Sequence, residues 1–153
     1  MMSRPACEQL VQLVRGHLEM VAEAITDVQA KGILVMSDSI LANVANRCSH
    51  EVAWMHEEIS AVLAEADNYV ANRQPGAHTV AEAIASVRNL DSTSLHVGDV
   101  QRRYDAASEV LSRLIENCRA ADTATRSRVE QLLEQRLSRE FDIRGSFALA
   151  GRS

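Results

Sequence analysis

Apolar residues recur along this chain at alternating steps of three and four. Cys7, Val11, Val14, Leu18, Val21, Ile25 and Val28 keep that rhythm near the N-terminus, and Val97, Val100, Tyr104, Ala107, Leu111, Leu114, Cys118 and Ala121 repeat it later. Steps averaging about 3.5 residues hold every member on one stripe of a helix, and such stripes are buried when long helices pack side by side. Leu41, Val44, Cys48, Val52, Met55, Ile59, Val62 and Ala66 form a further stripe, and Val80, Ala83, Val87 and Leu90 another. The steps from Leu41 to Val52 make an eleven-residue interval, which locally relaxes a left-handed supercoil. The pattern predicts an all-α protein, an antiparallel bundle or hairpin of long helices.

Breaker and capping residues divide the pattern. Ser3-Arg4-Pro5 suits a helix start, and Gly32 suits a left-handed cap, so a first helix is expected over roughly 4–31, with a helix that bends and continues through Gly32 as the alternative. Ser37-Asp38-Ser39 then opens a second over roughly 37–73, stopped by Asn72-Arg73-Gln74-Pro75-Gly76. Thr79, with Glu82 three residues on, reads as a capping box for a third, over about 79–97. A fourth is expected over about 98–140; the polar run Asp91-Ser92-Thr93-Ser94 leaves open whether the last two are one helix with a soft middle. Residues 1–141 are expected to form a single helical domain, with 142–153 as a flexible tail.

Composition fits this picture. The chain has 153 residues, 46% of them hydrophobic, with five aromatic side chains and two prolines. Such a length buries a core without disulfides or metal, and scarce breakers mean few, long elements. The net charge is −5, unevenly spread: residues 1–100 hold six basic and thirteen acidic side chains, and 101–153 hold ten and eight, so the two parts stand at −7 and +2. That asymmetry is suited to setting antiparallel helices against each other or against a second subunit, and it argues against nucleic acid as a partner. The arginines at 119, 126, 128, 136, 139 and 144 alternate with Asp122, Glu130, Glu134, Glu140 and Asp142, so intrahelical pairing on a solvated face is expected. Cys7, Cys48 and Cys118 form no C-x-x-C pair and lie on stripes, so they read as small core residues. No apolar run reaches signal-peptide or membrane-span length, and a cytoplasmic location is expected.

The histidines are the first place to seek chemistry. No Glu-x-x-His pair of the di-iron bundle type occurs, nor His-x-x-x-His. His50, His56, Glu57 and Glu58 gather around Trp54 beside the stripe, where a solvated polar flank and a metal site are the alternatives; no metal or other cofactor is expected. His17 interrupts the apolar stripe between Val14 and Val21, as a structural histidine at a bundle edge or as a phosphoacceptor. Phosphoacceptor histidines of phosphotransfer bundles precede Lys-Gly, whereas His17 precedes Leu18-Glu19-Met20. Nucleophile elbows, phosphate-binding glycine loops and dinucleotide fingerprints are absent.

One segment, Leu95-His96-Val97-Gly98-Asp99-Val100-Gln101-Arg102, resembles segments of helical proteins of bacterial chemotaxis, including the CheZ-type phosphatases. Those are long helical hairpins that dimerise into a four-helix bundle. In that family an Asp contacts the lysine of a response regulator, and a Gln four residues later orients the attacking water. The resemblance places Asp99 at the Asp, but Arg103 stands at the Gln position, and a guanidinium cannot accept a hydrogen bond from water. The expected function is therefore a non-enzymatic protein-interaction module in bacterial signalling or chemotaxis. Its partner would be a response regulator or receptor, Asp99, Gln101 and Arg103 would touch that partner, and the chain would be a homodimer. The alternatives are a response-regulator phosphatase or phosphotransfer protein working through Asp99 or His17, and a secretion or flagellar chaperone shielding an amphipathic client.

Overall fold

A computed structural model of the chain describes residues 5–144. Five helices follow one another: α1 (Cys7–Ala24), α2 (Val28–Ala71), α3 (Ala77–Arg88), α4 (Val97–Cys118) and α5 (Thr123–Arg144), with no strand among the described residues. The protein is all-α. The described residues divide into two compact units, 5–51 with 140–144, and Val52–Arg139. Helix α2 contributes its first half to one unit and its second half to the other.

Helix boundaries differ from the sequence expectation where a side chain caps better than glycine breaks. The first turn falls at Ile25-Thr26-Asp27, not at Gly32. Asp27 accepts the Ala30 amide at 2.7 Å through its carboxylate and the Lys31 amide at 3.0 Å through its carbonyl, as an N-cap does. Gly32 and Ser37-Asp38-Ser39 lie inside α2, where a glycine costs only about 1 kcal/mol against alanine and does not end a long helix. At the N-terminus Ser3 falls outside the described residues, Pro5 precedes the helix, and Gln9 reaches back to the Ala6 amide at 3.0 Å. Thr79 is not the cap of α3. Gly76 holds that place at φ 73°, and the Thr79 hydroxyl donates to its carbonyl at 2.8 Å. The segment 89–96 does separate α3 from α4, and the expected last helix is split again at 119–122. There Asp122 accepts the Thr125 amide at 2.7 Å and starts α5. Residues 142–144 continue α5, while the rest of the expected tail lies outside the described residues.

The Val52–Arg139 unit carries the core. Ile59, Val62, Ala66 and Tyr69 from α2 meet Val80, Ile84 and Val87 from α3, Ala107, Val110, Leu111 and Leu114 from α4, and Val129 from α5. Full burial of each large aliphatic side chain contributes about 1.5–3 kcal/mol, so the cluster is the main source of stability. Short connections make the four segments run up and down alternately. Tyr69 is fully buried and donates its hydroxyl to the Pro75 carbonyl at 2.6 Å, which ties the end of α2 to the turn before α3. Burial raises its pKa above the ordinary phenol value.

Three arginines of α5, at 128, 136 and 139, form their ion pairs across to α2 and not along their own helix. Arg139 reaches Glu57 at 2.8 Å, Arg136 reaches Glu58 at 3.4 Å, and Arg128 bridges both oxygens of Glu65 at 3.0 and 2.9 Å. As the α5 number falls, its partner's number on α2 rises, which is the register of two antiparallel helices. The Glu65 side chain is 10% exposed, and a carboxylate that dry needs a partner. Arg128 donates also to Thr125, itself buried at the start of α5. Acidic α2 against basic α5 is the charge asymmetry of the two parts of the chain put to structural use.

Candidate interaction surface

The other unit has a different character. Helix α1 buries none of its residues. It folds back along α2 as an antiparallel hairpin: Arg15 donates to both oxygens of Asp38 at 2.7 and 3.0 Å, and Ser49 donates to Glu8 nearer the open end. The hydrogen bond from Arg15 holds the Asp38 carboxyl below its ordinary pKa and raises that of Arg15. Val11, Leu18 and Ala22 are half-buried on the side of α1 that bears Arg15, as is Ile25 just after it, and Ala30, Leu34 and Leu41 are half-buried on the side of α2 that bears Asp38, with Ala45 buried. The last turn of α5 belongs to this unit, and Asn46 donates to its Asp142 carbonyl at 2.9 Å.

A second set of apolar side chains remains in solvent. On α1, Leu10, Val14, Met20 and Val21 are 46–62% exposed, and Leu13 is 56% exposed. On α2, Ile33, Met36, Ile40 and Val44 are 39–62% exposed. At about 100° per residue, each set lies roughly a quarter turn or a little more from the hairpin contact, in the same rotational sense on its own helix. In an antiparallel pair that sense leads to one common side, so the two rows form one apolar face. No Asp, Glu, Lys or Arg falls within it; Lys31 and Asp38 project elsewhere, and His17 is its one titratable side chain. At its open end a groove of about 440 Å³ is lined by Ile40, Asn43, Val44, Arg47, Cys48 and Glu51.

Thus three of the seven members of the first sequence stripe, Val14, Val21 and Val28, face solvent, as do Val44, Cys48 and Val97 of the others. Cys7 is exposed as well, and only Cys118 packs against the core. The sequence did carry a signal: Leu10, Leu13 and Met20 widen the apolar arc of α1 beyond what a single neighbouring helix covers.

The residues singled out from sequence do not form one site. Asp99 sits in the first turn of α4, accepting from the Ser94 hydroxyl at 2.5 Å and pairing with Arg102. A carboxylate in a first turn also meets the positive end of the helix dipole. Gln101 donates to Asp105 at 2.9 Å, one turn along. Arg103 is half-buried, its Nε without a hydrogen-bond partner, and its charge helps to keep the Asp91 carboxyl below its ordinary pKa, after the larger effect of the Thr93 hydroxyl. His17 is exposed on α1. His50 is exposed, His56 is half-buried with Nε2 unpartnered, and Glu57 and Glu58 are committed to Arg139, Arg136 and the Tyr104 hydroxyl at 3.1 Å. Arg136 also stacks over the Tyr104 ring, 5.2 Å from its centroid. Among the described residues no three His, Cys, Asp or Glu side chains come together as a metal site would require, and no helix is long and apolar enough to cross a membrane.

No family model, curated protein or solved structure matches the chain.

Proposed function

We propose that the protein is a helical interaction module that works by presenting the apolar face of α1 and the first half of α2 to another protein surface. The observation that carries this reading is the exposure of that face, with Met20 and Met36 each at 62% and no charged side chain among its rows. A contiguous apolar patch much above about 300–600 Å² is unusual on a monomer and marks a place where something binds. Two exposed methionines suit such a surface, because their unbranched side chains adapt to the groups they meet. The segment 95–102 gives the proposal its setting, bacterial signalling or chemotaxis, where a response regulator or receptor would be met at Asp99, Gln101 and Arg103 and not on the hairpin face.

A phosphatase reading has less to rest on. Asp99 is engaged by Ser94 and Arg102 at the start of its own helix, and the place of the water-orienting amide is taken by Arg103. A photo-crosslinking amino acid at position 36 or 40, installed in the native cell, tests the proposal. Protein adducts are expected there and not at position 130 on the polar surface of α5. Equal or absent adducts at all three positions would refute it.

A further inference from the structure

We infer that the occupant of the apolar face is a second copy of this chain, two α1–α2 hairpins closing face to face into a four-helix bundle. The inference rests on the interaction reading above and names its partner.

Three observations carry it. The first is area. The exposed fractions of the face residues, Leu10, Leu13, Val14, Met20 and Val21 with Ile33, Met36, Ile40 and Val44, leave on the order of 1,000 Å² of apolar side chain uncovered per copy, whereas a stable complex buries about 800 Å² per partner. The face is therefore large enough for a lasting pair, not a passing encounter.

The second is charge. The chain carries a net charge of −5, so two copies repel on average as their surfaces approach. A two-fold pair sets each surface patch against itself, and a patch rich in one charge sign cannot do this cheaply. The rows that make up the hairpin face hold no Asp, Glu, Lys or Arg, and at its end Arg47 and Glu51 neutralise each other. It is the part of the surface where self-approach costs least.

The third is the state of α1. An 18-residue helix with no buried residue has little beyond one neighbouring helix to hold it, and short helices are marginal in water without tertiary packing. Helical layers become stable when an apolar stripe is covered on its remaining side. A second hairpin supplies the missing layer for both copies at once, and Val14 and Val21, seven residues apart, give the repeat that bundle seams use.

Sedimentation under reducing conditions, which keeps Cys7 and Cys48 from linking copies covalently, decides the matter. The wild-type chain is expected to sediment at twice its chain mass. Ile40→Glu and Val21→Glu should each weaken the pair by about 100-fold or more, since every substitution enters a two-fold interface twice and buries a charge. Arg102→Glu on α4 should leave it unchanged. If either glutamate variant loses its helical circular dichroism, Met36→Gln replaces it. A wild-type chain that stays monomeric up to about 100 µM, where a face of this area would be saturated, overturns the inference. In that event an apolar dye separates the two readings: dye bound by the monomer and lost in Ile40→Glu leaves the interaction module standing with another occupant. No dye binding removes both readings. A pair indifferent to these substitutions also overturns the inference.

Discussion

Leu114→Ala is the perturbation whose cost the structure fixes best. Leu114 is 0% exposed and belongs to the cluster of Ile59, Val62, Tyr69, Val80 and Val110. The substitution removes three carbon atoms from the interior, and about 0.8 kcal/mol for each gives a transfer loss of about 2.4 kcal/mol. A cavity remains, at about 24 cal/mol per Å³ that fails to collapse. Collapse is hindered here, because several residues of the cluster, Ala66, Ala83, Ala107 and Ala121, are too short to reach into the gap. The expected loss is therefore about 3–4 kcal/mol. Urea denaturation followed through the single tryptophan, Trp54, reads the right unit, since Trp54 lies within Val52–Arg139. The midpoint should fall with the slope unchanged. Ile115→Ala is the control, one residue along the same helix but 39% exposed, and should cost less than about 1 kcal/mol, eased further by the helix preference of alanine. A loss below about 1 kcal/mol at Leu114 would mean that the α4 stripe is not the core.

Three further outcomes are expected. Gly76→Ala should destabilise by at least about 1–2 kcal/mol, because φ is 73° there and a Cβ would overlap the Asn117 side chain; an unchanged melting midpoint would show that the turn rearranges freely. A double-mutant cycle of Glu65→Gln and Arg128→Gln should give a coupling of about 1 kcal/mol, above an ordinary surface pair but below a fully buried one, since the Arg128 side chain is 37% exposed; zero coupling would mean a solvated pair. The carboxyls of Asp38 and Asp122 both titrate below their ordinary values, Asp38 through Arg15 and Asp122 through the Thr125 amide. Their stabilisation is complete above the ordinary carboxyl range near about 3.9 and is lost as pH falls through the lower folded values. Denaturant titrations down to about pH 2 should show that loss, shallower in Asp38→Asn; a variant as acid-sensitive as the wild type would refute the assignment to Asp38.

The all-α class was legible in the chain because a 3-4 rhythm of apolar residues has one structural use, and only a helix repeats near 3.6. Burial in the second unit followed from the same pattern: Ile59, Val62, Val87, Leu111 and Leu114 lie where their stripes put them. The break at Pro75-Gly76 was legible too, because proline and a positive-φ glycine act through their own backbone. The turns at 25–27 and 119–122 were missed for the opposite reason. Asp27 and Asp122 each cap a helix with one carboxylate, and such a residue looks the same in sequence when it merely faces water.

What the sequence alone could not decide is which half of a stripe has something to pack against. Val14 and Leu114 occupy equivalent places in the same rhythm, yet one is 46% exposed and the other 0%. Periodicity states that a side chain seeks apolar company; whether it finds any depends on how many helices come back to that side. Three other segments, from α2, α3 and α5, contribute to the core around Leu114, and one long helix lies against α1. The same holds for charge. The acidic and basic parts of the chain were visible from composition, but the pairing of Glu57, Glu58 and Glu65 with Arg139, Arg136 and Arg128 required α5 to return along α2. Local preference is written residue by residue, while the partners that satisfy it, and the face left without one, are set by tertiary packing between residues far apart in the chain.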